Sequence, residues 1–274
     1  MLTLKPQKVR LPNGLEIYAP RREEALLVYD EVGDYVRHGL QLQAGATIFD
    51  VGANIGLFSL WAYQACQHQA TLYAFEPIPA IFNLLAANLQ TLGDSALKAL
   101  PYGLSNQAAT LNFAYYPNAT FASTAYPDQA PQERALTQTL LLRSWDRLPT
   151  PLPWLRHLSM PIQRTMASLL ARYITQHQPV TCQLRTISQV IAEYGIEQID
   201  FLKIDAEKSE LAVLQGIAEG DWSIIQQLFV EVHNRAGRLE TIRMLLNQQG
   251  FRKVIVEQDP FFAHTDIYAI YAAR

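Results

Sequence analysis

The chain has 274 residues, enough for one large domain with a sizeable core, and its 49% apolar and 17% charged residues are those of an ordinary globular protein. A formal charge of −3 argues against a nucleic-acid partner held mainly through phosphate contacts. Two cysteines, Cys66 and Cys182, are too few for a disulfide framework, no apolar run reaches membrane-spanning length, and the segment after Met1 lacks a signal-like apolar core. The expectation is a soluble cytoplasmic protein with neither nucleic acid nor membrane as partner.

Residues 1–45 read as a leader or cap. Leu11–Tyr18 has the pattern of a hairpin around Asn13-Gly14, followed by a helix over Glu23–Tyr29 and a segment carrying Tyr35 and His38. Residues 46–115 alternate strand and helix: strand 47–51, helix 56–67, strand 71–76, helix 79–91, a strand near 97–102 and a short strand over 109–116. Residues 116–178 break that rhythm. Six prolines fall between Pro117 and Pro153, and then Leu158, Ile162, Met166, Leu169, Leu170 and Tyr173 recur at helical spacing to give one apolar face. An insertion this long predicts a lid or binding element. Residues 179–274 resume the alternation, with strands over 181–185, 199–205 and 227–233, helices over 187–194, 209–218 and 238–248, and two closing strands near 251–257 and 266–273. A single α/β domain follows, Rossmann-like, with a seven-stranded, mostly parallel sheet, a C-terminal antiparallel hairpin and a helical lid.

The densest signal is Thr47–Gly56, in which an apolar run ends at Asp50 and turns through Gly52-Ala53-Asn54-Ile55-Gly56 into a helix. Glu76 follows twenty residues after Gly56, at the tip of the next strand. Strand, glycine turn, helix, strand and acid place a ribose-bearing cofactor at the sheet edge, where a carboxylate accepts from both ribose hydroxyls. Dinucleotide sites use Gly-x-Gly-x-x-Gly, whose middle glycine clears space for a pyrophosphate. Asn54 stands there instead, with one residue before Gly56, which favours the amino-acid end of S-adenosylmethionine. No phosphate-binding loop of the Gly-x-x-x-x-Gly-Lys-Ser/Thr type occurs. Asp50, Gly52, Asn54, Gly56 and Glu76 are therefore the cofactor candidates, with Leu104 and Ser105 placed near the adenine.

Ligands of open α/β sheets bind beyond the carboxyl ends of the strands. Those ends supply Asp205 and Glu207 from one strand and Glu231 and His233 from the next, with Glu231 and His233 on the same face. Methyl transfer to an alcohol needs a proton acceptor, and His233 is the natural base, held and balanced by Glu207 or Glu231. Asp205 has a second reading as the cap of the helix that follows, and His38 is the second choice of base. Asp205 and Glu207 are hard oxygen donors suited to magnesium, but no third ligand stands out, so no metal is expected.

Asp50–Gly56, Phe75-Glu76-Pro77, Tyr102–Ser105 and Phe201–Glu207 together resemble the FkbM-type S-adenosylmethionine methyltransferases, in order along the chain. The family pattern Lys-Ile-Asp-Val-Glu-Gly-Ala-Glu is replaced by Lys203–Glu210, with Lys208-Ser209 in place of Gly-Ala. That variant, with Glu231-Val-His233, resembles the branch associated with polyketide and nonribosomal peptide assembly lines. The resemblance implies a hydroxyl O-methyltransferase acting on a small-molecule or carrier-protein-bound acyl or peptidyl substrate. Residues 131–178 bear on this independently, holding six arginines and no lysine against Glu133 and Asp146. Such a lid could meet an acidic carrier protein and its pantetheine phosphate, or be a solvated helix face. N-methylation, methylation of a sugar or other free molecule, and a non-catalytic synthase module are the alternatives.

Overall fold

The computed structural model describes residues 6–144, 154 and 157–274. The leader opens with the predicted hairpin, β1 (Gln7–Arg10) against β2 (Glu16–Ala19), and continues into α1 (Arg22–Glu31) and a 3-10 turn at Val32–Tyr35. The doubly wound unit is built from β3 (Ala46–Val51), α2 (Leu57–Ala65), β4 (Ala70–Phe75), α3 (Pro79–Gln90) and β5 (Leu97–Leu100). After the lid come α6 (Ile187–Tyr194), β9 (Phe201–Ile204), α7 (Glu210–Gln215), β10 (Gln227–His233), α8 (Arg238–Gln248), β11 (Lys253–Glu257) and β12 (Ile267–Ala273). The lid itself contributes α4 (Ala130–Ser144) and α5 (Met160–Ile174).

Seven strands join in the order β11-β12-β10-β9-β3-β4-β5, and only β12 runs against its neighbours. The predicted sheet and its closing hairpin are therefore present. Alternation along each strand divides the interior in two. Ile48, Leu72, Phe201 and Phe229 pack with α2, α3 and the leader on one face, while Phe49, Tyr73, Leu202 and Val230 pack with α6 and α8 on the other.

Two departures from the sequence reading matter for the site. The third strand ends at Leu100, not 102; Gly103–Leu104 (β6) peels away to join β7 (Ala109–Tyr115) and β8 (Gln178–Arg185) in a separate three-stranded sheet. The strands pack closely there: a β-carbon on Gly103 would stand 2.8 Å from the end of the Leu184 side chain, which would have to shift. In the lid, the apolar face predicted for the second helix is split. Among the described residues α5 buries Gln163, Ala167 and Ala171 against α4, whereas Ile162, Leu169 and Tyr173 are exposed. A seam of small side chains lets two helices approach closely, so α4 covers the small-residue seam in preference to the bulky stripe.

Candidate active site

The turn after β3 is fixed by close packing of backbone as much as by conformation. Gly52 sits at φ +76°, and a β-carbon on it would fall 1.9 Å from the carbonyl oxygen of Asp205 at the tip of β9. Gly56 sits at φ +90°, and a β-carbon there would meet Leu85 of α3 at 2.8 Å. Both positions need glycine, for strand-to-strand and turn-to-helix contact. Asn88 of α3 ties the leader to the same turn, accepting from Tyr18 N–H at 2.7 Å and donating to Ile55 O at 2.8 Å.

Asp50 is fully buried, and its carboxylate is spoken for. Ser59 Oγ donates to Oδ2 at 2.6 Å, and Lys203 Nζ lies 3.1 Å from Oδ1. Lys203 also donates to Gly52 O at 3.0 Å and lies 3.5 Å from Asp205 Oδ2. Burial alone would pull this ammonium down, but the charges of Asp50 and Asp205 hold it up. Asp50 and Gly56 thus shape the turn from behind and do not line the cavity, while Gly52, Asn54, Glu76, Leu104 and Ser105 do.

That cavity, of about 380 Å³, runs from the glycine turn and the tip of β4 to the tips of β9 and β10. Glu76 is buried in its wall, accepting from Ile78 N–H at 2.9 Å, and burial pushes its carboxyl up to about 7 against the lowering pull of that bond. Asn54 adopts φ +50°; its Oδ1 accepts from Ile55 N–H at 2.6 Å and its Nδ2 donates to Thr120 Oγ1 at 3.1 Å. Thr120 in turn donates through N–H and Oγ1 to the buried Glu24 of α1, each at 2.6 Å. The leader, the strap 116–129 and the glycine turn are thereby one hydrogen-bonded unit.

Asp205, Glu207, Glu231 and His233 all line the cavity. His233 is buried between two carboxylates: Nδ1 lies 2.8 Å from Glu210 Oε1, and Nε2 lies 3.3 Å from Glu207 Oε2. Burial would push the imidazolium down, but Glu207 and the bond to Glu210 raise it to about 10. Glu207 is itself raised to about 7, by burial first and then by Asp205 against the opposing pull of His233. Glu231 is held well above the carboxylate range by burial and by Asp205, and no hydrogen bond reaches its carboxylate among the described residues. Asp205 does not cap α7, whose N-cap position is Ser209; it accepts from Tyr35 Oη at 3.4 Å. His38 pairs with Glu257 at 2.5 Å, meets Tyr271 edge to face, and lies outside the cavity wall.

The structure adds residues that sequence reasoning missed. Glu210 orients the imidazole, and its place three residues after Glu207 in the Lys203–Glu210 motif was the available signal. Glu31, at the end of α1, lines the cavity and is raised to about 7 by burial and by Asp205. Nothing in its local sequence points there. Donor atoms of Glu207, Glu231 and His233 lie within 4.8 Å of one another, a group that keeps Glu207 of the sequence pair and leaves out Asp205. A metal ion there would have to displace a proton held up to about 10 on His233.

The donor set suits S-adenosylmethionine. Glu76 is a buried carboxylate in the cavity wall that would face ribose hydroxyls, and Gly52, Asn54, Leu104 and Ser105 line the same cavity. No helix among the described residues is long and apolar enough to cross a membrane.

The chain is similar to known proteins over most of its length. The Methyltransferase FkbM domain model matches residues 50–253. A 31-O-demethyl-FK506 methyltransferase FkbM of Streptomyces tacrolimicus is 36% identical over 98% of this chain and 97% of its own length. The AMB antimetabolite synthetase AmbE of Pseudomonas aeruginosa is 33% identical over 97% of this chain, which spans 12% of that synthetase. The methyltransferase sdnD of Sordaria araneosa is 32% identical over 86% of each chain. With the glycine turn, Glu76 and the acidic strand tips all lining one cavity, the chain belongs to the FkbM family of S-adenosylmethionine-dependent methyltransferases.

Proposed function

We propose that the chain O-methylates a hydroxyl of a polyketide or nonribosomal-peptide-type intermediate, with the proton removed by the Glu207–His233 pair. The observation that carries this reading is the Glu210–His233–Glu207 relay opening into the same cavity as Glu76. S-adenosylmethionine, when bound, supplies an electrophilic methyl group on sulfur. An alcohol attacking that carbon loses its proton as the new bond forms.

His233 already holds a proton near neutral pH, so the division of labour differs from the sequence expectation. Glu207 is the proton acceptor, and the His233 imidazolium offsets the charge of the carboxylates around it, with Glu210 holding its ring. Glu231 and Asp205 complete the acidic wall that faces the acceptor. This arrangement works without a metal, and activity is expected to survive exhaustive chelation.

O-methylation is supported by the name of the Streptomyces relative, and use within an assembly line by the synthetase relative. Docking of an acidic carrier protein on the lid is part of the same proposal. Arg134, Arg143, Arg164 and Arg172 are exposed there, while Arg147 and Arg156 lie outside the described residues. The test is methyl transfer from labelled S-adenosylmethionine to hydroxylated polyketide and peptidyl acceptors, free and carrier-bound, with the methylated atom located by mass spectrometry. Transfer to oxygen is the expected result. Transfer only to nitrogen, or to no acceptor despite tight cofactor binding, overturns it.

A further inference from the structure

We propose that Asp128 and Lys208 are positioning residues for Glu207, so that seating of the strap aims the proton acceptor; this rests on the Glu207–His233 reading above. Two consecutive non-glycine residues at the end of β9 are in the left-handed region, Glu207 at φ +35° and Lys208 at φ +73°. L-residues hold that conformation only when the surroundings over-determine it. Lys208 thus keeps a β-carbon at a position whose backbone disfavours one.

Four contacts compensate. Lys208 Nζ lies 3.0 Å from Asp128 Oδ2, Lys208 N–H donates to Glu210 Oε1 at 2.7 Å, and Arg238 donates to Lys208 O at 2.8 Å. Thr124 Oγ1 donates to Glu207 O at 2.6 Å. Two of the four come from the strap. Asp128 is itself fixed, by a two-pronged contact with Arg235 and by its N–H donating to Glu133 Oε1 at 2.9 Å. Glu133 Oε1 also accepts from Tyr116 Oη at 2.6 Å, at the base of the strap. A continuous chain of contacts therefore runs from α4 to the backbone that carries Glu207. When the strap is seated, Glu207 Oε2 faces His233 Nε2 at 3.3 Å. Without Asp128, the strained pair can relax and the carboxylate swings off the imidazole.

The experiment reads the His233 imidazole titration by NMR, with S-adenosylhomocysteine bound and the resonance assigned by its loss in His233→Gln. Lys208→Ala and Lys208→Gly both remove the ammonium, but only alanine keeps the β-carbon. Lys208→Ala and Asp128→Ala are expected to lower the His233 pKa by about one unit or more, and Lys208→Gly to leave it near the native value. Thr124→Val, which cuts the bond to Glu207 O and the one that Tyr126 N–H donates to the same hydroxyl, is expected to lower it as well, and covers the case of a poorly folded Asp128→Ala. Alanine and glycine behaving alike at 208, or no change in both strap variants, overturns the proposal and leaves the catalytic pair standing. A native His233 titrating at the ordinary imidazole value would overturn the pair itself and the positioning role with it.

Discussion

The carbonyl oxygen of Asp205 occupies the space that a β-carbon on Gly52 would need, 1.9 Å from its ideal position. Two chain segments separated by most of the molecule are thus pressed together at the tips of adjacent parallel strands, β3 and β9. Lys203 clamps the same junction through Gly52 O, Asp50 and Asp205. Gly52→Ala must therefore part the strand tips as well as strain the turn. The expected loss is at least about 2 kcal/mol of stability, read by urea denaturation, together with loss of cofactor binding by calorimetry.

Glu76 gives a pH-dependent prediction. Its carboxyl, pushed up to about 7 by burial, must be ionised to accept from two ribose hydroxyls. A ligand that favours the ionised form binds more weakly as pH falls through that value, approaching tenfold per pH unit below it. Calorimetric affinity for S-adenosylhomocysteine should fall between about pH 8.5 and 5.5 in the native chain, limits about one and a half units on either side of the group. Glu76→Gln should bind more weakly throughout and show a flat profile over the same range. A native profile as flat as the variant's would remove Glu76 from the ribose.

These two residues also show how far the sequence could be read. The glycine turn, its helix and Glu76 are contiguous, so local pattern placed them correctly along one edge of the sheet. What the motif could not show is which neighbour each acid meets. Asp50 ends a strand as a ligand carboxylate would, but Ser59 and Lys203 neutralise it inside the protein. Lys203 comes from 153 residues further on, beyond any local pattern. Glu31, Tyr35, Thr120 and Asp128 reach the site only through the path of the leader and the strap. In α5 the helical period was legible, yet periodicity does not say which face the next helix will cover.

His233 links the site to stability. Its folded value, raised to about 10 from 6.5, means that folding binds a proton the unfolded chain releases at lower pH. The stabilisation is fully present below about 6.5 and is lost as pH rises towards 10. Thermal unfolding of the native chain should therefore weaken between pH 6.5 and 10 more than that of His233→Gln. The difference is expected to be on the order of a few kcal/mol at the acid end. Parallel curves for the two proteins would show that Glu207 and Glu210 do not hold a charged imidazole.

The lid arginines separate a docking role from a solvated helix face. Arg164 and Arg172 are exposed on α5, the helix that also leaves Ile162, Leu169 and Tyr173 uncovered. Replacing both arginines with glutamate reverses the local charge without touching the cavity wall. KM for a carrier-bound acceptor should rise roughly tenfold or more, while kcat/KM for the same acceptor freed from its carrier stays unchanged. Equal kinetics on the two forms of acceptor in native and variant chains would assign these arginines to solvation alone.

Catalysis should follow the ionisation of Glu207. As proton acceptor it must be free, so kcat should rise with pH through about 7, the value to which burial and Asp205 push it. Glu207→Gln removes the acceptor and should lower kcat by roughly 10²–10⁴-fold with cofactor affinity little changed. Glu210→Gln is a second probe, because Glu210 is fully buried against His233 and a glutamine can still accept from Lys208 N–H. The Glu210 charge helps hold the Glu207 carboxyl up, and His233, raised to about 10, stays protonated through neutrality, so the rising limb should shift to slightly lower pH. If His233 were instead the neutral base of the sequence reading, the limb of the native chain would lie near 10, the value to which Glu207 and Glu210 raise it. The position of the native limb decides which of the two groups takes the proton.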